Sequence, residues 1–399
     1  MSYFMFVYAD HAATTEMSAA AREAMTRGIA EYWANPSSLH TAGQKVREVL
    51  EDARARIAAG LNAKPREIYF TSGGSESDNQ AIRSAALAGA RKGKKHLIST
   101  EFEHHAVLHT LAKLEKEGFE VTLLDIPANG IVSAEQVRAA IRPDTALVSV
   151  MYANNEVGTI QPIAEIGAVC HAAGVYFHTD AVQAVAHVPI DVQAAHIDML
   201  SLSAHKFGGP KGIGALYART GVPLGSLIEG GAQERGRRAG TENTPAVLGM
   251  AAALEESLAH MTETTARVTA MRDRLIDGLS QIPHSRLSGD RTQRLPGNVH
   301  FCFEGIEGES LLLLLDANGI EASSGSACTS GSLDPSHVLL AMGMPHEIAH
   351  GSLRLSIGAD NTDEQIDHIL KVVPEVVTYL RSMSPVWEDL ETGKQPHRI

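Results

Sequence analysis

A lysine stands at the end of an apolar run. Ser203-Ala204-His205-Lys206 follows Ile197–Leu202, which reads as a buried strand. Burial disfavours the charged amine, so a lysine there is unusual unless its chemistry is used. Desolvation and neighbouring cations lower its pKa and make it a nucleophile suited to a Schiff base. Lys211 is the rival, but Gly208-Gly209-Pro210-Lys211-Gly212 reads as a turn with a solvated lysine. Asp180 closes a second run, Val175-Tyr176-Phe177-His178-Thr179. A carboxylate there can keep a heteroaromatic ring nitrogen protonated, turning the ring into an electron sink. It can equally cap the next turn.

Thr71-Ser72-Gly73-Gly74-Ser75-Glu76-Ser77 lies between a strand pattern and the helical stretch Asp78–Gly89. Glycines and free helix-start amides suit a phosphate, with Ser75 adding a hydroxyl. The plainer reading is a turn with a serine cap. The segment is neither a Walker loop nor a dinucleotide fingerprint. Cys328 lies in Ser323-Ser324-Gly325-Ser326-Ala327-Cys328-Thr329-Ser330-Gly331-Ser332, a polar stretch with nothing apolar to bury a thiol. Cys170 and Cys302 instead sit in apolar helix and strand patterns and read as small core residues. His105 and His109, four apart, share a helix face as zinc ligands do, but no carboxylate or cysteine pair accompanies them. Stacking on a flat cofactor or shuttling a proton suits a single histidine better. Asn154-Asn155-Glu156 and Arg354 complete the set, and an arginine fork suits a substrate carboxylate.

These residues need a scaffold that brings strand ends together. Ile68–Phe70, His96–Ser99, Glu120–Leu124, Ala146–Met151, Val175–His178, Ile197–Leu202 and Gly214–Tyr217 read as strands. Glu101–Glu117, Ser133–Ile141 and Ile163–Ala173 read as helices between them. The alternation predicts an α/β fold with a mostly parallel sheet covered on both faces. Ligands in such sheets bind beyond the carboxyl ends of the strands. Near Pro245 the pattern changes to one long helix, Ala246 to about Ile282, able to bridge two domains. A smaller α+β region follows, with a strand near Asn298–Phe303, helices near Glu309–Asn318 and Thr362–Arg381, and the Gly/Ser stretch. The expected division is a large domain, 15–257, and a small domain of 1–14 and 258–399 that carries the cysteine loop, about 322–335.

At 399 residues, two domains are the natural expectation. A net charge of −13 argues against nucleic acid or an anionic membrane as partner, although Arg235, Arg237 and Arg238 form a local basic group. Three cysteines make no disulfide framework, and the eight residues Ser2–Ala9 before the polar Asp10 are too few to span a bilayer, so a cytoplasmic location is expected.

The order of these segments resembles the fold-type I, class V aminotransferase superfamily, and within it the NifS/IscS-type cysteine desulfurases. The likeness runs through Asn35-Pro36-Ser37-Ser38-Leu39-His40, the 71–77 turn, Glu103-His104, Asn154-Asn155-Glu156, His178-Thr179-Asp180-Ala181-Val182-Gln183, His205-Lys206, Glu234-Arg235-Gly236-Arg237-Arg238-Ala239-Gly240-Thr241 and Ser323–Ser330. The wording of two of these segments looks closer to the NifS branch. Ser75 stands where threonine is usual, which keeps the hydroxyl. Asp10-His11-Ala12-Ala13-Thr14-Thr15 replaces a more usual Asn-bearing version.

The resemblance implies pyridoxal 5'-phosphate held covalently by Lys206, with His104 stacked on its ring. Asp180 is then the partner of the ring nitrogen and Gln183 of the ring oxygen. Gly74, Ser75, Ser203 and His205 hold the phosphate, and Thr241 reaches it from a neighbouring subunit, so a homodimer is implied. Asn155 and Arg354 hold the carboxylate of L-cysteine. Lys206 removes the Cα proton, and Cys328 takes the sulfur as a persulfide, leaving alanine. An iron–sulfur scaffold of the NifU/IscU type, or another carrier, receives that sulfur. No metal is expected in the free enzyme, Cys328 meeting an iron–sulfur cluster only in passing. The competing readings are an aminotransferase or selenocysteine lyase on this scaffold, a non-catalytic interaction module, and a zinc protein built on His104, His105 and His109.

Overall fold

The computed structural model describes residues 5–324 and 335–399. After β1 (Val7–Tyr8) come two helices, α1 (Ala19–Glu31) and α2 (Thr41–Gly60). Ser18 and His40 cap them, each side chain accepting a backbone N–H of the first turn. The main sheet is then built from β2 (Ile68–Thr71), β3 (His96–Thr100), β4 (Glu120–Leu124), β5 (Thr145–Ser149), β6 (Tyr176–Asp180), β7 (Met199–Ser203) and β8 (Gly214–Ala218). Its order is β2-β8-β7-β6-β5-β3-β4. Only β8 runs against its neighbours, so the sheet is mixed but mostly parallel.

Strands β3, β5, β7 and β8 are buried at every residue. Helices on both faces explain why they read as unbroken apolar runs rather than as alternation. The helices are α3 (Gly74–Ala90), α4 (His105–Lys116), α5 (Ala134–Ala140) and α6 (Ile163–Ala173). Because β8 alone is reversed, β2, β3, β5, β6 and β7 all end at one edge. Every strand-linked candidate residue lies there.

The turn α7 (Gln233–Gly236) precedes α8 (Thr244–Leu279), a helix of 36 residues. Helix α8 changes partners along its length. Val247, Met250, Ala251 and Leu254 join the large apolar cluster under the sheet. Val268, Met271, Leu275 and Leu279 join a second cluster. That cluster is built by β9 (Ser285–Leu287), β10 (Asn298–Phe303), α9 (Gly308–Ala317), β11 (Ile320–Glu321), β12 (Ser352–Ser356) and α12 (Asp363–Ser382), with Val7 and Ala9 packed into it. The short helices α10 (His337–Ala341) and α11 (His346–Ala349), although late in the chain, pack into the large cluster.

One buried ion pair shapes the approach to the site. Arg54 on α2 forks onto Glu234 at 2.7 and 2.8 Å, and Glu234 also accepts the Phe70 N–H of β2. Glu234 and Arg235 sit at positive φ, 46° and 58°, conformations that non-glycine residues hold only when their surroundings impose them. The arginine group is put to internal use: Arg235 donates to Ile68 O, Arg237 to Leu224 O, and Arg238 pairs with Glu76. Glu234→Gln will leave the buried Arg54 guanidinium with only the solvent-exposed Glu51 carboxylate, 3.1 Å from its Nε, as counter-charge. We expect a loss of about 3–5 kcal/mol in unfolding free energy, measured by denaturant titration; a loss under about 1 kcal/mol would mean the pair behaves as a surface one.

Candidate active site

Five chain segments meet beyond the strand ends. Lys206 follows β7 through a single 3-10 turn, Ala204–Lys206. Asp180 is the last residue of β6, and Gln183 lies in the turn after it. His104 follows β3, and Asn155 follows β5. Gly74 and Ser75 open α3 beyond β2. With Ala12, Ala13, Asp78, Met151, Val182, Ser203, His205 and Arg354, these residues line a cavity of about 390 Å³. A second hollow continues from Gly74, Ser75, Ser203 and His205 and has Lys211 on its wall. Lys211 is exposed, whereas Lys206 is half-buried and faces the cavity. A larger surface hollow between α5 and α6 is lined mostly by alanine and other apolar groups and gathers none of the candidate residues.

The lysine amine donates to two carbonyls of the N-terminal segment, Ala12 O at 2.5 Å and Ala13 O at 2.8 Å. Gln183 Nε2 also donates to Ala12 O, at 3.0 Å. His104 caps α4, its Nδ1 accepting from Ala106 N–H at 3.1 Å. That cap explains why the helix begins at His105 rather than at Glu101.

Two buried carboxylates face this space. Asp180 accepts the Val182 N–H at 2.9 Å, and burial pushes its carboxyl up while His104 and Lys206 pull it down. Asp78, wholly buried on α3, is held well above the usual carboxylate range by burial and by Asp180. Among the described residues its Oδ1 has no hydrogen-bond partner, His178 Nε2 standing 3.6 Å away. Ligand atoms of Asp78, His104 and Asp180 all lie within 4.8 Å of one another. A pair of crowded carboxylates with an unsatisfied oxygen calls for a proton-bearing or cationic group. A protonated pyridine nitrogen meets that demand.

The other end of the cavity suits a phosphate. Helix α3 starts at Gly74 with no side-chain cap, leaving first-turn amides for an anion. A Cβ on Gly74 would come within 2.5 Å of Val182 Cγ2, so glycine keeps this cradle open. His205 is driven down to about 4 by burial and by Lys206 and Lys211, so at neutral pH it contributes a hydrogen bond, not a charge. Its Nδ1 pairs with Thr14 Oγ1 at 3.1 Å. The residues present therefore fit pyridoxal phosphate at both ends.

Arg354 on β12 closes the cavity from the second core. It donates to Asn155 O at 3.0 Å and to Asp10 Oδ1 at 2.7 Å. Of the Asn154-Asn155-Glu156 trio, only Asn155 lines the cavity. Asn154 is buried as a brace, donating to Phe102 O and accepting the N–H groups of Glu156 and Val157. Glu156 accepts from Ser336 Oγ at the start of α10.

Other expectations fall elsewhere. Thr241 is exposed and lines neither hollow within this chain. Cys328 lies outside the described residues. Cys170 and Cys302 are buried, and burial pushes both thiols up to about 12. His105 stacks with His109 at 5.0 Å between ring centres and lies 4.5 Å from His337. No described helix is long and apolar enough to cross a membrane.

Sequence reasoning missed Asp78 and Asp10. Asp78 follows Gly74 by four residues and so shares its helix face, a signal that was available. The Asp10 segment stands out in the sequence only as a departure from the family wording; its pairing with Arg354, 344 residues away, leaves no local signal.

The family model for class-V aminotransferases matches residues 7–369. A protein named cysteine desulfurase IscS from Clostridium botulinum (strain Hall) is 53% identical over 392 residues, covering 98% of each chain. Another of that name, from Methanosarcina thermophila, is 56% identical over 380 residues, 95% of this chain and 94% of the relative. Among solved structures, a NifS-like protein superposes with a TM-score of 0.88 at 36% identity, over 94% of this chain and 100% of the other. A structure described as SspA in complex with cysteine gives 0.79 at 40% identity, over 89% and 100%. The fold, the site and these likenesses converge: the chain belongs to the class-V aminotransferase family.

Proposed function

We propose that this protein is a pyridoxal-phosphate-dependent cysteine desulfurase, converting L-cysteine to L-alanine and holding the sulfur as a persulfide on Cys328. The observation that carries this reading is the placement of the Lys206 amine in one cavity with the Asp78–Asp180 carboxylates, the uncapped start of α3 and Arg354. The desulfurase names of the relatives, and the bound cysteine of one solved structure, support the choice of substrate.

Lys206 would hold the cofactor covalently, and Asp180 would keep a proton on its ring nitrogen. His104 would cover the ring, and Gln183 would donate to the ring oxygen. Gly74, Ser75, Ser203 and His205 hold the phosphate, with Thr241 added by a neighbouring subunit in a homodimer. Bound there, pyridoxal phosphate supplies an electron sink that acidifies the substrate Cα–H. Arg354 and Asn155 orient the substrate carboxylate. The freed Lys206 amine takes the Cα proton. Cys328, as thiolate, would form the new S–S bond to the substrate sulfur while the C–S bond breaks, the bond's electron pair leaving with the carbon fragment, which is protonated and released as alanine. Iron–sulfur cluster assembly is the natural destination of that sulfur, through a scaffold of the NifU/IscU type in the cytoplasm. The two cores joined by α8 form two domains, with the cysteine segment connected to the smaller one through β11 and to the larger through α10.

Borohydride reduction of the holoenzyme, followed by peptide mapping, tests the cofactor assignment. The pyridoxyl group will be found on Lys206. Finding it on Lys211 would move the site into the neighbouring hollow.

A further inference from the structure

The Arg354 side chain is 3% exposed, and a guanidinium buried this far is strongly destabilising without an anion. Its ion-pair partner among the described residues is Asp10, at 2.7 Å on Nη2, while Nη1 donates to Asn155 O and the buried Glu156 carboxylate feels its charge from further off. Nε is enclosed and has no hydrogen-bond partner among the described residues. An incoming carboxylate therefore meets a guanidinium already engaged through one N–H of each outer nitrogen, and the ion-paired partner is Asp10.

Asp10 is well placed to be exchanged. Its backbone is fixed: it bridges to Ser356 on β12, and its carbonyl accepts from Ala13 N–H and Tyr8 Oη. Its side chain, 21% exposed, reaches Arg354 from a segment whose next residues, Ala12 and Ala13, hold the Lys206 amine. Rotation of that side chain alone frees Nη2, with no movement of the main chain.

We propose that Asp10 is a specificity-determining residue that occupies the carboxylate subsite at Arg354 until a substrate displaces it. Only an anion replaces an anion at a buried guanidinium without leaving it unpaired. The exchange therefore admits amino acids bearing an α-carboxylate and disfavours amines that lack one. It also keeps affinity moderate, because part of the substrate's interaction with Arg354 goes to evicting Asp10. This inference rests on the reading of Arg354 as the carboxylate ligand.

The test compares holoenzyme of the parent with Asp10→Asn, Asp10→Ser, Asp10→Glu and Arg354→Lys. Calorimetry gives the dissociation constants of L-alanine and of cysteamine, an aminothiol without a carboxylate; turnover gives KM and kcat for L-cysteine. Both neutral Asp10 variants will bind L-alanine roughly tenfold tighter, the scale of one charge-assisted hydrogen bond regained. The change will appear in KM more than in kcat, and cysteamine affinity will not follow it. Asp10→Glu keeps the competing anion and will not tighten binding. If the neutral variants bind L-alanine equally or more weakly while Arg354→Lys also weakens it, Asp10 is a fixed strut for Arg354 and the exchange is wrong. If Arg354→Lys leaves L-alanine binding unchanged, the carboxylate reading of Arg354 fails first, and this inference fails with it.

Discussion

Lys206→Ala will abolish turnover of L-cysteine, by roughly four orders of magnitude, and will lose the borohydride-reducible link to the cofactor. The size of the effect follows from the two tasks placed on one amine. In the proposed function it would hold the cofactor and, once freed, would accept the proton from the substrate Cα. No neighbour can substitute. His205 is held neutral but is tied to Thr14 and lies at the phosphate end. Lys211 is exposed in the adjoining hollow, separated from Asp180 by the β7 turn. The protein itself should survive the change. The lysine side chain is only half-buried, and its hydrogen bonds go to the Ala12 and Ala13 carbonyls, in a segment independently pinned by Thr15 N–H to His205 O and by Ala12 N–H to Ser356 Oγ. Thermal unfolding near the parent value with activity lost would separate catalysis from stability. Turnover within tenfold of the parent would remove Lys206 from the centre of the account.

Cys328→Ser will abolish sulfide release in the presence of reductant, again by orders of magnitude, while the cofactor absorbance remains. A serine hydroxyl is far too weak an acid to become the attacking anion near neutral pH, and it cannot carry sulfur as a persulfide. Neither remaining thiol can replace it. Cys170 lies on α6 and Cys302 on β10, both buried, with thiols that resist ionisation until about pH 12. The two substitutions therefore fail differently: the lysine variant loses the cofactor linkage, and the cysteine variant keeps it and stalls at sulfur transfer.

The strand ends were legible because a sheet covered on both faces demands continuous apolar strands, and a polar residue after such a run stands out. Lys206 and Asp180 were found this way. Boundaries shifted where a cap competes with periodicity. The apolar pattern carried the helix back to Glu101, but His104 ends its approach by accepting the Ala106 N–H, and α4 begins one residue later. Helix α3 starts earlier than its apolar pattern, at Gly74, because a glycine there packs against Val182 where any side chain would collide. What periodicity could not reveal was long-range pairing. Asp10 with Arg354 and Arg54 with Glu234 are joined only when the two cores and the sheet close. Asp78 read as an ordinary polar residue opening a helix, and its burial beside Asp180 depends on how α3 lies across the sheet. Arg235, Arg237 and Arg238 read as a basic group, yet their guanidiniums satisfy carbonyls and Glu76 inside the subunit.

In the proposed reaction, sulfur passes from L-cysteine to Cys328 with alanine as the organic product. In a single turnover without reductant, holoenzyme is mixed with one equivalent of L-cysteine, alanine is quantified, and the protein is digested for mass spectrometry. Alanine is expected in step with protein, with one added sulfur on the peptide that contains Cys328. Pyruvate in place of alanine, or alanine formed with the added sulfur absent from Cys328 and present on another residue, would contradict it.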